Sequence, residues 1–271
     1  MKRVLVVGTE ERLEEFKELN LQNADITYAD PSMVHAPDPE TEEFFDELLD
    51  DEFYNEDEVI SMLSEAEDAE EVEEDDDIEI IETADFDIVF DLNLDEDPES
   101  FETYLLNEGQ VVIGSAVLST LSSTSGMWGD LQSCVLIGMN AFPSFINRPK
   151  LELSLLNKAD LMTLESTMKV LGLEYELVAD EIGMVTPRII SMIINEACFV
   201  LGEGTAEIEA VDQAMRLGTN YPKGPFKWAD EIGIENVYNL LETLLAVTGD
   251  GKYKIAPRLR KHHELYAPFY Q

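Results

Sequence analysis

The feature that most constrains the fold is an alternation of short apolar runs with amphipathic segments, which continues to about residue 180 and then stops. Lys2–Gly8 is a continuous apolar run ending in glycine, Glu10–Leu19 has helical spacing, and Ala24–Tyr28 is a second strand-like run. Buried parallel strands have such short apolar runs, and helices connect them. The chain therefore begins with a predicted βαβ unit.

The alternation resumes further along the chain. Strands are predicted at Ile78–Ile81, Asp85–Leu92, Gln110–Ile113, Ser133–Met139 and Glu174–Val178, and helices at Glu40–Phe53, Pro98–Asn107 and Lys158–Leu171. Beyond Glu181 only helical patterns remain, at Thr186–Leu201, Thr205–Leu217, Asn236–Val247 and Tyr253–Tyr266. The predicted fold class is α/β, with a mainly parallel sheet domain over residues 1–180 and a small all-α domain over residues 181–271.

Charge is divided unevenly between the two halves. No lysine or arginine lies between Lys17 and Arg148, while that stretch holds 37 acidic residues, 32 of them from Asp38 to Glu102. The net charge is −37 for residues 1–147 and −5 for residues 148–271. An acidic coat adapted to salt would cover both halves, so the asymmetry predicts an acidic insertion around residues 38–77. This insertion is either a solvated face or a surface for a basic protein partner.

The composition also excludes several classes of partner and compartment. Nucleic acid and anionic membranes are poor partners, because neutralising phosphates requires Lys and Arg. No run approaches the roughly 20 apolar residues of a spanning helix, and the N-terminus lacks a signal-peptide layout. Cys134 and Cys198 are isolated in apolar surroundings, which predicts buried free thiols and a cytoplasmic protein. The three histidines form no metal-binding pattern, so no metal is expected.

One segment carries a long and specific family motif. Residues 210–234 read AVDQAMRLGTNYPKGPFKWADEIGI. This run resembles the C-terminal signature of the 3-hydroxyacyl-CoA dehydrogenases, DxAMxxGxGxPMGPFxLxDxxGLD, and the resemblance extends over roughly residues 110–245. It implies a Rossmann-like N-terminal domain and a helical C-terminal domain that forms a homodimer. Gly224-Pro225-Phe226 is interpreted as a rigid turn between two helices.

The resemblance also implies a reaction and a set of catalytic positions. The family oxidises 3-hydroxyacyl-CoA to 3-ketoacyl-CoA with NAD, in fatty acid metabolism, using a His base that a Glu orients. The His position falls on Asn140, the Glu position on Glu152, and a substrate-positioning Ser on Ser119. Two family Asn positions fall on Pro143 and Pro187. An asparagine amide cannot act as a base at neutral pH.

The implied cofactor site is altered as well. The family's GxGxxG loop would begin at Gly8, but the chain continues with Thr9, Glu10 and Glu11. Glu10 would place a carboxylate where the pyrophosphate belongs, and two like charges at 4 Å repel by roughly 4 kcal/mol at an effective dielectric of 20. Asp30 lies at the position of the acid that binds the ribose. The cofactor implied by the resemblance is thus NAD, and we expect that it is not bound.

Three functions remain open at this point. The first is a degenerate family member that acts as a non-catalytic binding or structural homologue. The second is an active oxidoreductase on an acyl-CoA-like substrate with an altered site. The third is a different enzyme that reuses the cleft through Glu152 or Ser119, although a turn or cap role for Ser119 and a surface role for Glu152 are the plainer interpretations. We also expect a homodimer through residues 181–271, because the helix at Thr186–Leu201 has more apolar positions than so small a domain buries alone.

Overall fold

The structure is a computed structural model that describes residues 1–34 and 81–270. Within these residues the strands are β1 Lys2–Val7, β2 Ala24–Ala29, β3 Ile88–Asp91, β4 Val111–Ser115, β5 Val135–Met139, β6 Leu151–Leu155 and β7 Tyr175–Val178. They form one sheet in the order β2-β1-β3-β4-β5-β6-β7. Neighbouring strands are parallel except β5 and β6, which pair antiparallel. The predicted α/β class with a mainly parallel sheet is confirmed.

The α-helices of the described residues fall into two groups. Those of the sheet domain are α1 Glu10–Lys17, α2 Leu121–Gly126 and α3 Leu161–Leu171; those that follow the sheet are α4 Thr186–Gly202, α5 Ile208–Thr219, α6 Pro225–Ile232, α7 Ile234–Thr248 and α8 Pro257–Glu264. The last strand ends at Val178 and α4 begins at Thr186, so the change from sheet to helices lies between these residues.

Apolar packing explains why the sheet is central. Residues 4–7 of β1 and all of β3 and β4 are buried, as expected for strands covered on both faces. The helices after the sheet share a separate core, which includes Phe226, Leu240 and Leu259. Val117, Phe142 and Phe145 from the sheet domain join that core. The two groups of elements are therefore packed through apolar contacts and enclose a cleft.

The strand order places a ligand crevice at the carboxyl ends of the central strands. The chain leaves β1 through α1, pairs β2 on one side of β1, and then returns to pair β3 on the other side. At such a switch point the two connections diverge and leave a crevice outside the carboxyl ends of the strands. Residues that follow Val7 and Asp91 therefore lie beside this crevice.

Several predicted elements differ in detail from the structure. The helix predicted at Pro98–Asn107 is a 3-10 helix, Pro98–Tyr104, and the one predicted from Tyr253 begins at Pro257 instead. Gly224-Pro225-Phe226 is not a turn between helices, because α6 itself starts at Pro225, where proline suits a first helical position. Strand β6 was not predicted. The helix predicted at Glu40–Phe53 and the acidic insertion lie outside the described residues, as does all but Ile81 of the strand predicted at Ile78–Ile81.

Within the described residues, no helix is both long and apolar enough to cross a bilayer. Cys134 and Cys198 are buried free thiols, as predicted.

Candidate functional site

A cleft of about 930 Å³ lies between the carboxyl edge of the sheet and the helices that follow it. One wall comes from the loops after β1, β3 and β4, and includes Thr9, Asn93 and Ser119. The opposite wall comes from α7, α8 and the segment after α8, and includes Asn239 and His262. Clefts of this volume between two domains are where proteins bind small molecules.

The side chain of Arg12 lies in the crevice at the switch point of the sheet. This residue is on α1 and is only 3% exposed, which is unusual for arginine. Its guanidinium donates hydrogen bonds to the carbonyl oxygen of Leu92 and to the carboxylate of Glu96. Both partners follow β3, so a cation from the first helix bridges to the strand across the crevice. The charge of Arg12 is thereby paired inside the protein.

Two backbone amides of the loop after β1 already have acceptors within the protein. The amide of Gly8 donates to the Ala29 carbonyl at 3.1 Å, and that of Thr9 donates to Asn93 Oδ1 at 3.1 Å. Helix α1 then begins with Glu10 and Glu11 in its first turn. Phosphate binding at a helix N-terminus needs free amides and no nearby carboxylates. The residues present do not fit the pyrophosphate of NAD.

Two buried aspartates lie behind Arg12. Asp91 is at the end of β3 and accepts hydrogen bonds from Tyr104 Oη at 2.9 Å and from the Asn93 amide at 3.1 Å. Burial raises the pKa of Asp91 to about 6. Burial also raises the pKa of Asp95, whose Oδ2 accepts from the amides of Val117 and Leu118 at 2.6 and 2.8 Å. The loop after β4 is thus held by a carboxylate from the loop after β3.

Asp30, the predicted ribose-binding acid, has a local role in the structure. It is exposed and its Oδ1 accepts from the amide and the hydroxyl of Ser32 at 3.0 and 2.7 Å. These hydrogen bonds, that from the amide foremost, lower the pKa of Asp30. The residue caps the 3-10 helix Pro31–Met33 and does not line the cleft. The ribose-binding role of Asp30 stays a prediction.

Asn140 and Glu152 are brought together, as the resemblance implies, but away from the cleft. The Asn140 amide donates to the Glu152 carbonyl at 3.0 Å, because β5 and β6 pair here. The Asn140 side chain is buried, and its Oδ1 accepts from the Phe142 amide at 3.3 Å. The Glu152 carboxylate instead accepts from the amides of Val185 and Thr186, at the start of α4. Of the three catalytic positions, only Ser119 lines the cleft.

Sequence reasoning missed the two histidines of α8. His262 and His263 both line the cleft, with rings stacked on Phe269 at 4.0 Å and on Tyr238 at 3.9 Å. They lie beyond the segment that carries the family motif, so no sequence signal indicated their position. Among the described residues, no group of three metal-ligating side chains could hold a metal ion.

An open parallel sheet with a crevice at its carboxyl edge, facing helices across a cleft, is the architecture of a two-domain dehydrogenase. Residues 183–267 match the family model of the 3-hydroxyacyl-CoA dehydrogenase C-terminal domain. A "Probable 3-hydroxybutyryl-CoA dehydrogenase" of Bacillus subtilis is 40% identical over 103 residues, which cover 38% of this chain and 35% of that protein. The 3-hydroxyadipyl-CoA dehydrogenase of Escherichia coli is 42% identical over 84 residues, 31% of this chain and 18% of that protein.

Solved structures match along the whole chain. The (S)-3-hydroxybutyryl-CoA dehydrogenase of Ralstonia eutropha has a TM-score of 0.62 at 21% identity, covering 98% of this chain and 94% of that one. M. tuberculosis FadB2 has a TM-score of 0.64 at 17% identity, covering 100% and 99%. These likenesses show the fold. Residues 183–267 therefore carry a domain of the 3-hydroxyacyl-CoA dehydrogenase C-terminal type, and the chain resembles this family, although the matched sequence spans about a third of the Bacillus relative.

Proposed function

We propose that this family member has lost the NAD-linked oxidation of 3-hydroxyacyl-CoA and acts as a non-catalytic binding or structural homologue. The observation that carries the proposal is the engagement of two of the three catalytic positions, Asn140 and Glu152, in local structure. Asn140 cannot take a proton at neutral pH, and the Glu152 carboxylate is bound to the amides of Val185 and Thr186. Losing a general base costs about 10² to 10⁴-fold in rate.

The cofactor crevice supports the same proposal. Arg12 and Glu96 occupy it with an internal ion pair, and the amides of Gly8 and Thr9 already have acceptors. Acids at the start of α1 repel a pyrophosphate. We infer that neither NAD nor NADH binds with useful affinity.

The alternatives are less well supported. Glu152 does not line the cleft, so an enzyme that reuses the cleft through this carboxylate would need it to leave its two amides. Ser119 does line the cleft, which keeps its hydroxyl available to a bound molecule. An altered oxidoreductase would still require a replacement for the missing base. These functions become preferred only if turnover is measured.

The test combines a binding titration with an activity assay. Calorimetric titration of the full chain with NADH should give no saturable binding, and 3-hydroxybutyryl-CoA with NAD should give no turnover. Asn140→His should not restore activity, because Glu152 is committed to α4, and Asn140→Ala serves as the matched inactive control. A micromolar dissociation constant for NADH, or turnover of about 1 s⁻¹ or more, would contradict the proposal.

Assembly and location complete the proposal. We infer a homodimer through residues 181–271, since Ile189 on α4 is 53% exposed and Val185 beside it is 48% exposed. Exposed apolar side chains on one helix favour association of two copies. A cytoplasmic location agrees with the free thiols of Cys134 and Cys198.

A further inference from the structure

The loop between β5 and β6, residues 140–147, packs into both domains. Phe142 and Phe145 are buried in the core of the helices that follow the sheet, whereas Ile146, directly after Phe145, is buried in the core of the sheet domain. Pro143 of the same loop lines the interdomain cleft. A change in the angle between the two domains would strain this loop, because packed cores transmit strain and do not deform freely.

The loop contains a turn with an unfavourable backbone conformation. The amide of Phe145 donates to the Phe142 carbonyl at 3.0 Å, which closes a four-residue turn with Pro143 second and Ser144 third. Ser144 has a φ of 74°, in the left-handed region that favours glycine at the third position of such a turn. A residue with a side chain keeps this conformation only where its surroundings determine it. Contacts around Ser144 must therefore hold the turn in place.

Those contacts come from both domains. Glu15 on α1 accepts from the Ser144 amide at 2.6 Å through Oε2, and from the amides of Ile146 and Asn147 at 3.0 and 3.1 Å through Oε1. From α6, Glu231 Oε2 accepts from the Ser144 hydroxyl at the longer distance of 3.4 Å. Short hydrogen bonds to an ionised acceptor are about twice as strong as neutral ones. Glu15, with three of them, is the main restraint on the loop.

We propose that residues 140–147 form a brace between the two domains, and that Glu15 holds this brace in one arrangement and thereby fixes the width of the cleft. Helix α1 belongs to the sheet domain, while Phe142 and Phe145 belong to the core of the helices. Without the carboxylate of Glu15, the turn at Ser144 relaxes and the two aromatic side chains move with the helices relative to the sheet. The inference goes beyond the proposed function, because it holds whether or not the cleft retains any chemistry.

The experiment compares Glu15→Gln with the parent chain by two measurements. Gln has the size of Glu, but an NH2 group replaces one carboxylate oxygen and cannot accept a hydrogen bond. Either the amide of Ser144 or those of Ile146 and Asn147 therefore lose their acceptor. Hydrogen exchange followed by NMR should become at least about tenfold faster at these amides. The amide of Val112, on the central strand β4, should remain better protected than the loop and shows that the sheet stays folded.

The second measurement is the distance between two spin labels, one on each domain. The labels are attached at Lys158→Cys in the sheet domain and Lys227→Cys on α6, since both lysines are exposed. The native thiols of Cys134 and Cys198 are buried, and burial raises the pKa of both to about 12, so they react slowly with the label. The parent should show one distance, and Glu15→Gln should show a second population that the parent lacks.

The matched control is Glu14→Gln, which makes the same change at the preceding, exposed position of α1 and should give the parent's exchange rates and single distance. A single unchanged distance in Glu15→Gln would overturn the proposal even if the loop amides exchange faster, because the loop would then move without the domains. Equal effects of both variants would overturn it as well, since they would reflect only the loss of a charge from α1. If Glu15→Gln unfolds, Glu15→Asp, which keeps the charge on a shorter side chain, decides between the same outcomes.

Discussion

The substitution Asp91→Asn tests whether the buried acid beside the crevice titrates as its surroundings indicate. Asp91 is 4% exposed, at the end of β3, and accepts from Tyr104 Oη and the Asn93 amide. Burial raises its pKa from 3.8 to about 6, and the nearby charge of Asp95 adds to this effect. Asparagine has nearly the same shape as aspartate but does not titrate. The difference between the two proteins therefore isolates the effect of protonating Asp91 on the free energy of unfolding.

The direction of the pH dependence follows from the different proton affinities of Asp91 in the folded and unfolded states. The folded state holds the proton more tightly than the unfolded state, so Asp91 costs stability as pH rises through the window from 3.8 to about 6. A tenfold change in proton affinity is about 1.4 kcal/mol, so the total cost above this window is about 3 kcal/mol. About 1.4 kcal/mol of it falls between pH 5 and pH 7.5. The range from pH 5 to pH 7.5 lies above the sequence pI of about 4.1, so the protein carries a net negative charge throughout it.

Urea denaturation of both proteins at fixed salt, from pH 5 to pH 7.5, measures the difference directly. The free energy of unfolding of the parent should fall relative to Asp91→Asn by about 1.4 kcal/mol across this range, or about 3 to 5 °C in Tm. Asp30→Asn is a flat control over this range, because hydrogen bonds from Ser32 lower the pKa of Asp30 below its ordinary value of 3.8 and its contribution to stability is lost only as pH falls below that value. A flat difference, or one that rises with pH, would refute the reasoning for Asp91.

Three further predictions follow from single contacts. In urea denaturation, Glu152→Ala should lower the free energy of unfolding by about 1 to 2 kcal/mol, because it removes the acceptor of two amides at the start of α4. The control Glu176→Ala, which breaks an exposed ion pair with Lys150, should change it by less than about 1 kcal/mol. Gly224→Ala should lower Tm, because an added Cβ would lie 2.1 Å from Asp212 Cγ; an unchanged Tm in calorimetry would contradict this. Light scattering should report a dimer at both low and high salt and a monomer for Ile189→Asp; a parent mass near 30.5 kDa at micromolar concentration would refute the dimer.

The fold could be predicted because its strands are buried on both faces. In β1, β3 and β4 this burial produces the short apolar runs seen in the sequence. Strand β6, which pairs antiparallel to β5, was not predicted because its sequence, LELSL, is short and alternates. A five-residue alternating run carries too little periodicity to separate a strand from a loop.

The candidate site could be predicted only in part. The resemblance assigns Asn140 and Glu152 to paired family positions, and a backbone hydrogen bond joins them where β6 pairs with the end of β5. It could not show that the Glu152 carboxylate would turn to α4, because that choice depends on the position of Thr186 in space. Arg12 lies on the acidic helix α1, and nothing in the local sequence indicates that it is buried. Its burial arises from contacts with Leu92 and Glu96, about eighty residues further along the chain, which no local pattern encodes.

These contacts belong to a wider pattern in which carboxylates bind backbone amides. Six carboxylates among the described residues each accept hydrogen bonds from two or more backbone amides that are distant in sequence. They are Glu15, Asp95, Glu152, Asp180, Asp212 and Asp230. Glu15, for example, reaches from α1 to the amides of Ser144, Ile146 and Asn147, on the loop that follows Asn140. Such amides at loops and helix starts are the groups that anionic ligands use.

The acidity of this chain is therefore not only a solvated coat. In the loops around the cleft, internal carboxylates take amides that a phosphate or carboxylate ligand would otherwise bind, as Asp95 does at Val117 and Leu118. An anion entering the cleft would have to displace a covalently tethered acid whose effective concentration is high. The same hydrogen bonds also hold the loops of the fold in place.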